Sequence, residues 1–129
     1  MIDVLIVADS GAALQRLTDL VEQLPDVDIV RHLHGRGPLQ PHVAARKPDL
    51  VLIDEMHWPR LTLRCIAEIT VPVVLCTSRP AARWLADALR AGAGAVVPHS
   101  AGPATLRLVM DEVLNAPAMA DRRTTALAA

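Results

Sequence analysis

The chain has 129 residues, 52% of them hydrophobic, and a formal net charge of -1; that length is one domain on the usual prior and buries a core without staples. There is no Tyr and no Phe, and Trp58 and Trp84 are the only large aromatics, so the core is aliphatic and stacking on single-stranded nucleic acid has little to work with. No basic patch stands out, which argues against nucleic-acid binding by this domain itself, and no apolar run approaches the ~20 residues of a membrane span.

Residues 2–7 form an apolar run ending at Ala8-Asp9-Ser10. This reads as a buried strand with an acid at its carboxyl end, and Ser10 is placed to cap the next helix. Leu14, Leu17, Leu20, Val21 and Leu24 follow at helical spacing and stop before Pro25. A short strand is expected over 27–30. The stretch 31–40, with His32, His34, Gly35, Gly37 and Pro38, reads as a loop, followed by a short helix around 42–46. His32, His34 and His42 match no standard zinc spacing, so a solvated loop is their expected setting.

Leu50-Val51-Leu52-Ile53 is wholly apolar and breaks into Asp54-Glu55, the pattern of a central strand buried on both faces. Residues 55–61 are expected to be a loop, and 62–69 a helix. A buried strand over 72–76 ends in Thr77-Ser78. Pro80 suits the first turn of a helix running to Gly92, a C-cap candidate. Trp84 on that helix is either core or surface. A last strand over 95–97 ends at Pro98-His99, and Pro103 opens a final helix. From Pro117 the Ala, Thr and Arg tail lacks an apolar period and reads as a linker or frayed end. The domain division is therefore 1–116 and a tail over 117–129.

Five βα units in strict alternation give a parallel sheet with helices on both faces. Strand ends then bring Asp9, Asp54, Thr77 and His99 to one edge, where open α/β sheets bind ligands. Cys65 and Cys76 fall in apolar runs and read as buried free thiols of a reducing compartment, so a cytoplasmic location is expected. No basic n-region precedes the first strand, which agrees. An enzyme of small α/β type lacks support, because Ser10-Gly11-Ala12 is no Gly-rich phosphate loop.

Val4-Leu5-Ile6-Val7-Ala8-Asp9-Ser10, Pro48 through Asp54, Pro72 through Ser78 and Ala88-Leu89-Arg90-Ala91-Gly92-Ala93 together resemble the receiver domain of bacterial two-component response regulators. The resemblance covers about residues 2–114. It implies a flavodoxin-like (βα)5 doubly wound sheet of strand order 2-1-3-4-5. It also implies that Asp54 is a phosphoacceptor fed by a histidine kinase or a small phosphodonor, with Thr77 as the switch hydroxyl. Asp9, Asp54 and the Met56 backbone carbonyl would supply the protein ligands of a Mg²⁺ ion. Partners implied are an output domain or partner protein, often a helix-turn-helix transcription regulator, and a homodimer through the face of the fourth helix, last strand and fifth helix. Enzymatic activity would be limited to self-phosphorylation and autodephosphorylation.

Several positions depart from that pattern. Ala8 stands for the first acid of an acidic pair, His99 for a lysine, and Val96 for an aromatic switch residue. Trp58 fills a loop one residue longer than usual, and Leu61-Thr62-Leu63 stands where a glycine is usual. Losing an acid weakens metal binding, and imidazole is a poorer point charge than ammonium. Two readings follow: a phosphoacceptor domain of a phosphorelay, or a degenerate receiver acting as a phosphorylation-independent interaction or dimerisation module.

Overall fold

The computed structural model describes residues 1–79 and 81–116; the helix-opening role of Pro80 and the tail from Pro117 lie outside the described residues. In chain order the elements are β1 (Ile2–Ala8), α1 (Gly11–Glu22), β2 (Val27–Leu33), α2 (Gln40–Arg46), β3 (Leu50–Asp54), α3 (Pro59–Glu68), β4 (Val73–Thr77), α4 (Ala82–Ala91), β5 (Ala95–Pro98) and α5 (Pro103–Asn115). The strands form one parallel sheet ordered β2-β1-β3-β4-β5. The expected flavodoxin-like order is observed.

The pleat splits the core in two. Val4, Ile6, Leu50, Leu52 and Val74 face α1 and α5, meeting Leu14, Leu17, Val21, Leu106 and Met110. Leu5, Val7, Val51, Ile53 and Leu75 face the other way, against Val43, Ile66 and Trp84 of α2, α3 and α4. Every residue of β3 and β4 is buried, as continuous apolar runs in a two-sided sheet require. Cys65 and Cys76 are buried free thiols, and burial pushes Cys76 up to about 12, which makes it inert packing.

Local signals act where expected at two helix ends. Ser10 Oγ accepts from the Ala13 N–H at 3.2 Å and caps α1. Gly92 closes α4 at φ 120°, a conformation that favours glycine.

Two boundaries differ from the sequence expectation. β2 runs on to Leu33, because Arg31, His32 and Leu33 pair with Ile6, Val7 and Ala8. An edge strand is solvated on one side and tolerates the polar residues that interrupted its apolar run. α3 begins at Pro59 rather than near residue 62: Trp58 is extended at the N-cap and Pro59 takes the first turn, where its missing N–H costs nothing.

Between α4 and β5 the backbone of Gly94 is pressed against α5. A Cβ there would lie 2.7 Å from Val113 Cγ1 and 3.3 Å from the Val73 carbonyl oxygen. Gly94→Ala is expected to cost about 1–3 kcal/mol by overpacking, read from urea denaturation. The same change in a Val113→Ala background should cost clearly less; an equal cost in both would dismiss the contact as the cause.

Candidate functional site

β3 delivers Asp54 to the carboxyl edge of the sheet with 4% of its surface exposed. A carboxylate so placed must find partners or lose its charge. Two are supplied. Arg16 of α1 places Nη2 2.6 Å from Asp54 Oδ1, and His99, just beyond β5, places Nε2 2.9 Å from the same oxygen. Arg16 Nη2 and His99 Nε2 are themselves 3.3 Å apart. Burial pushes the Asp54 carboxyl up, and the charges and hydrogen bonds of Arg16 and His99 pull it down without fully offsetting that push. His99 is thus brought to Asp54 as expected. Arg16 was not expected: nothing in the helical period marks it, because its role depends on α1 leaning over the end of β3.

Asp9 lies beside this cluster, but its Oδ2 accepts the His57 backbone N–H at 2.6 Å. It ties the carboxyl end of β1 to the loop after β3. Thr62 fixes the same loop from below, its Oγ1 accepting from the Met56 N–H at 2.9 Å. Ala8 is fully buried in the α1–α5 side of the core and adds no oxygen.

A hard divalent cation needs several free carboxylate and carbonyl oxygens. Here Asp54 Oδ1 is taken by two nitrogen donors, Asp9 Oδ2 is taken by a backbone N–H, and a guanidinium stands against the acid. As arranged, these contacts occupy one oxygen of each acid and set a guanidinium beside them, so Asp9, Asp54 and the Met56 segment would hold a Mg²⁺ ion only against a neighbouring positive charge.

Thr77 closes β4 and is 3% exposed. Its hydroxyl donates to Glu55 Oε2 at 2.5 Å. It also accepts from Trp84 Nε1 at 3.0 Å and from the Arg79 N–H at 2.9 Å. Trp84 is therefore core, and it fastens α4 to the end of β4. Glu55 was overlooked in the sequence because it reads as a plain loop acid. It accepts from the hydroxyl and the N–H of Ser78 as well as from Thr77, and Arg79 Nε lies 3.7 Å away. Burial pushes Glu55 up, yet the bonds from Ser78 and Thr77 and the Arg79 charge together hold it below the usual range. Beside Thr77, between α4 and β5, Val96 lines a groove of about 550 Å³ that also touches Leu85 and His99.

The histidines correct one expectation. His32 is in β2 and His34 is buried directly after it, so they do not lie in a solvated loop. His42 joins them from α2, and ring nitrogens of the three lie within 4.8 Å of one another. The longer β2 and its pairing with β1 create this meeting, which linear spacing does not reveal.

A carboxyl whose folded pKa exceeds its ordinary 3.8 holds its proton more tightly when folded, so its ionisation costs stability as pH rises through that window. Asp54→Asn keeps an accepting oxygen without the charge. It should be more stable than the parent at pH 7, with the gap closing as pH falls to the ordinary carboxylate value. Arg16→Ala should destabilise the parent by about 1–2 kcal/mol and the Asn variant much less. Denaturant melts of the four proteins test this; an Asn variant weaker than the parent at pH 7 would refute it.

Glu55 has the opposite sign. Its lowered pKa gives stability that is complete above its ordinary value of 4.5 and fades as pH falls through the folded value. Glu55→Gln should therefore cost about 1–2 kcal/mol at pH 7 and little near pH ~3. A penalty independent of pH would point to packing instead.

No protein-family model matches the chain. Among curated proteins it is similar to the protein-glutamate methylesterase/protein-glutamine glutaminase of a Nocardioides species. The two are 34% identical over 125 residues, spanning 89% of this chain and 33% of that protein. The chain spans a third or less of the curated relatives it matches. Among solved structures, the response regulator domain of Thermotoga maritima CheB superposes with a TM-score of 0.72 at 22% identity, covering 91% of this chain and 98% of that one. The BeF3-activated N-terminal receiver domain of Klebsiella pneumoniae RstA superposes with a TM-score of 0.71 at 24% identity, covering 88% and 99%. With the strand order and the residues gathered at its carboxyl edge, the chain is a domain of the response-regulator receiver fold, atypical at its acidic end.

Proposed function

We propose that this domain is a receiver-type signalling module that works through protein contacts and does not depend on metal-assisted phosphoryl transfer to Asp54. One observation carries the reading: Arg16 Nη2 and His99 Nε2 sit 2.6 and 2.9 Å from Asp54 Oδ1, so a cationic and a protonatable group already hold one of the two oxygens that metal binding and attack on phosphorus would use between them. The Thr77 hydroxyl adds support, since it is engaged by Glu55 and Trp84. The partners are an output domain or a second protein, met by the α4, β5 and α5 side, where Leu89 and Leu108 are 51% and 62% exposed. Among the described residues no helix is long and apolar enough to cross a membrane, and a cytoplasmic setting fits the buried free thiols. The methylesterase activity named for the curated relatives belongs to proteins of at least three times the matched length.

A second reading has its own support. Positive donors around a buried carboxylate are also what stabilise the charge on a transferring phosphoryl group. In that case Asp54 accepts the phosphoryl group from a histidine kinase or small phosphodonor. With Arg16 off Asp54, Asp9 and Asp54 would be the residues to hold a Mg²⁺ ion, which would neutralise charge on the phosphoryl oxygens; Thr77 would turn from Glu55 to the new group, and an output domain, such as a transcription regulator, would read the change.

Incubation with Mg²⁺ and acetyl phosphate, followed by intact mass, separates the two. The expected result is no phosphoryl adduct and no rise in melting temperature with Mg²⁺ and beryllium fluoride. A stoichiometric adduct that disappears in Asp54→Asn would overturn the first reading and establish the second.

A further inference from the structure

His32, His34 and His42 gather at the open edge of the sheet, away from Asp54. His32 Nε2 is 3.0 Å from His34 Nδ1, and the His32 and His42 ring centroids are 4.3 Å apart. His34 is 5% exposed, and its Nε2 lies 2.7 Å from the Gly37 carbonyl oxygen. A carbonyl only accepts, so Nε2 carries the hydrogen of that bond, and the lone pair of the neutral ring is on Nδ1, facing His32. A backbone carbonyl on the far nitrogen is how ligating histidines are commonly oriented. Among the described residues, the ring partners of the three are one another and Gly37. His32 Nε2–H therefore donates to His34 Nδ1; with no acid among the three rings, a cation that replaced this hydrogen would find one nitrogen of each ring within 4.8 Å of the others.

We propose that His32, His34 and His42 form a three-nitrogen site for a transition-metal dication of the zinc class, with the fourth position open to solvent. Imidazole nitrogen suits such ions and poorly suits Mg²⁺. Tetrahedral zinc with nitrogen at 2.0–2.1 Å sets neighbouring ligand atoms about 3.3 Å apart. The His32–His34 pair is near that distance already. His42 is exposed on the first turn of α2 and closes the remaining gap, about 1.5 Å at most, by a side-chain rotation. The ion would clip α2 to β2 across the loop 34–39. The His34 N–H also donates to the Ala8 carbonyl at 2.8 Å, so the clip sits one residue from Asp9. This site stands on its own geometry and does not depend on how Asp54 is used.

Calorimetric titration of the whole chain with Zn²⁺ tests it, with Co²⁺ absorption as the report on nitrogen ligation. The expected result is one ion per chain at micromolar affinity or tighter. Saturating zinc should raise the melting temperature by roughly 5–10 °C. Affinity should fall at least tenfold in His42→Ala and in His34→Gln, and stay within twofold in Asp9→Asn and Asp54→Asn. His42→Ala removes an exposed side chain, so its metal-free melting temperature should equal that of the parent and keep the comparison fair. Absence of zinc binding by the parent overturns the proposal. So does binding that survives both His variants or is lost in the Asp variants.

Discussion

The placement of one carboxylate constrains much of the carboxyl edge. β3 is buried on both faces and ends in Asp54, so an ionisable group sits where water reaches it poorly. Burial costs a charged group more than any single surface contact returns. Arg16 and His99 reduce that cost together at one oxygen, one reaching it from α1 and one from the end of β5. They are 83 residues apart in sequence and meet only because β1 and β4 flank β3, which places α1 and the end of β5 around the same strand tip. The cluster is therefore a consequence of the 2-1-3-4-5 strand order as much as of its residues. It also explains why an acid can be dropped at position 8. With Ala8 packed into the core the region has one negative charge fewer than an acidic pair would give, and the guanidinium on Asp54 lowers its pull on a dication further.

Period and punctuation made most of the fold legible. Apolar runs marked β1, β3 and β4, because strands buried on both faces carry few polar residues. Leucine spacing marked α1, and Ser10 and Gly92 marked helix ends by chemistry that acts within a few residues. The errors came where the deciding contact is distant in sequence. Arg31 and His32 hid the second half of β2, which owes its existence to pairing with Ile6 and Val7. Pro59 looked like part of a loop until its place at the first turn of α3 was visible. Asp54 and His99 were found from strand ends. Arg16 and Glu55 were not, since each is an ordinary exposed-looking charge whose partner lies on another element. The three histidines were misplaced for the same reason: β2 and α2 bring together residues that spacing alone separates.

The end of β4 has a parallel logic. Thr77 donates a hydrogen bond to Glu55 and accepts one from Trp84 and another from the Arg79 N–H, so its hydroxyl is shared between the loop after β3 and helix α4. Any group that drew the hydroxyl toward Asp54 would have to break the bond to Glu55 and weaken the tether on Trp84. A bistable element of this kind shifts only by the difference in interaction energy between its two states. Here the resting state has a charge-assisted hydrogen bond to Glu55 on one side and neutral N–H donors from Trp84 and Arg79 on the other.

Val96 decides how such a shift would be felt outside. A larger side chain would fill the hollow between α4 and β5 and be pushed by movement of Thr77. Valine instead leaves a groove of about 550 Å³ lined by Leu85, Pro98 and His99. The tie between Thr77 and α4 is the Trp84 hydrogen bond. The same groove borders His99, which touches Asp54 directly. A partner seated between α4 and β5 would therefore meet the same imidazole that holds Asp54 Oδ1.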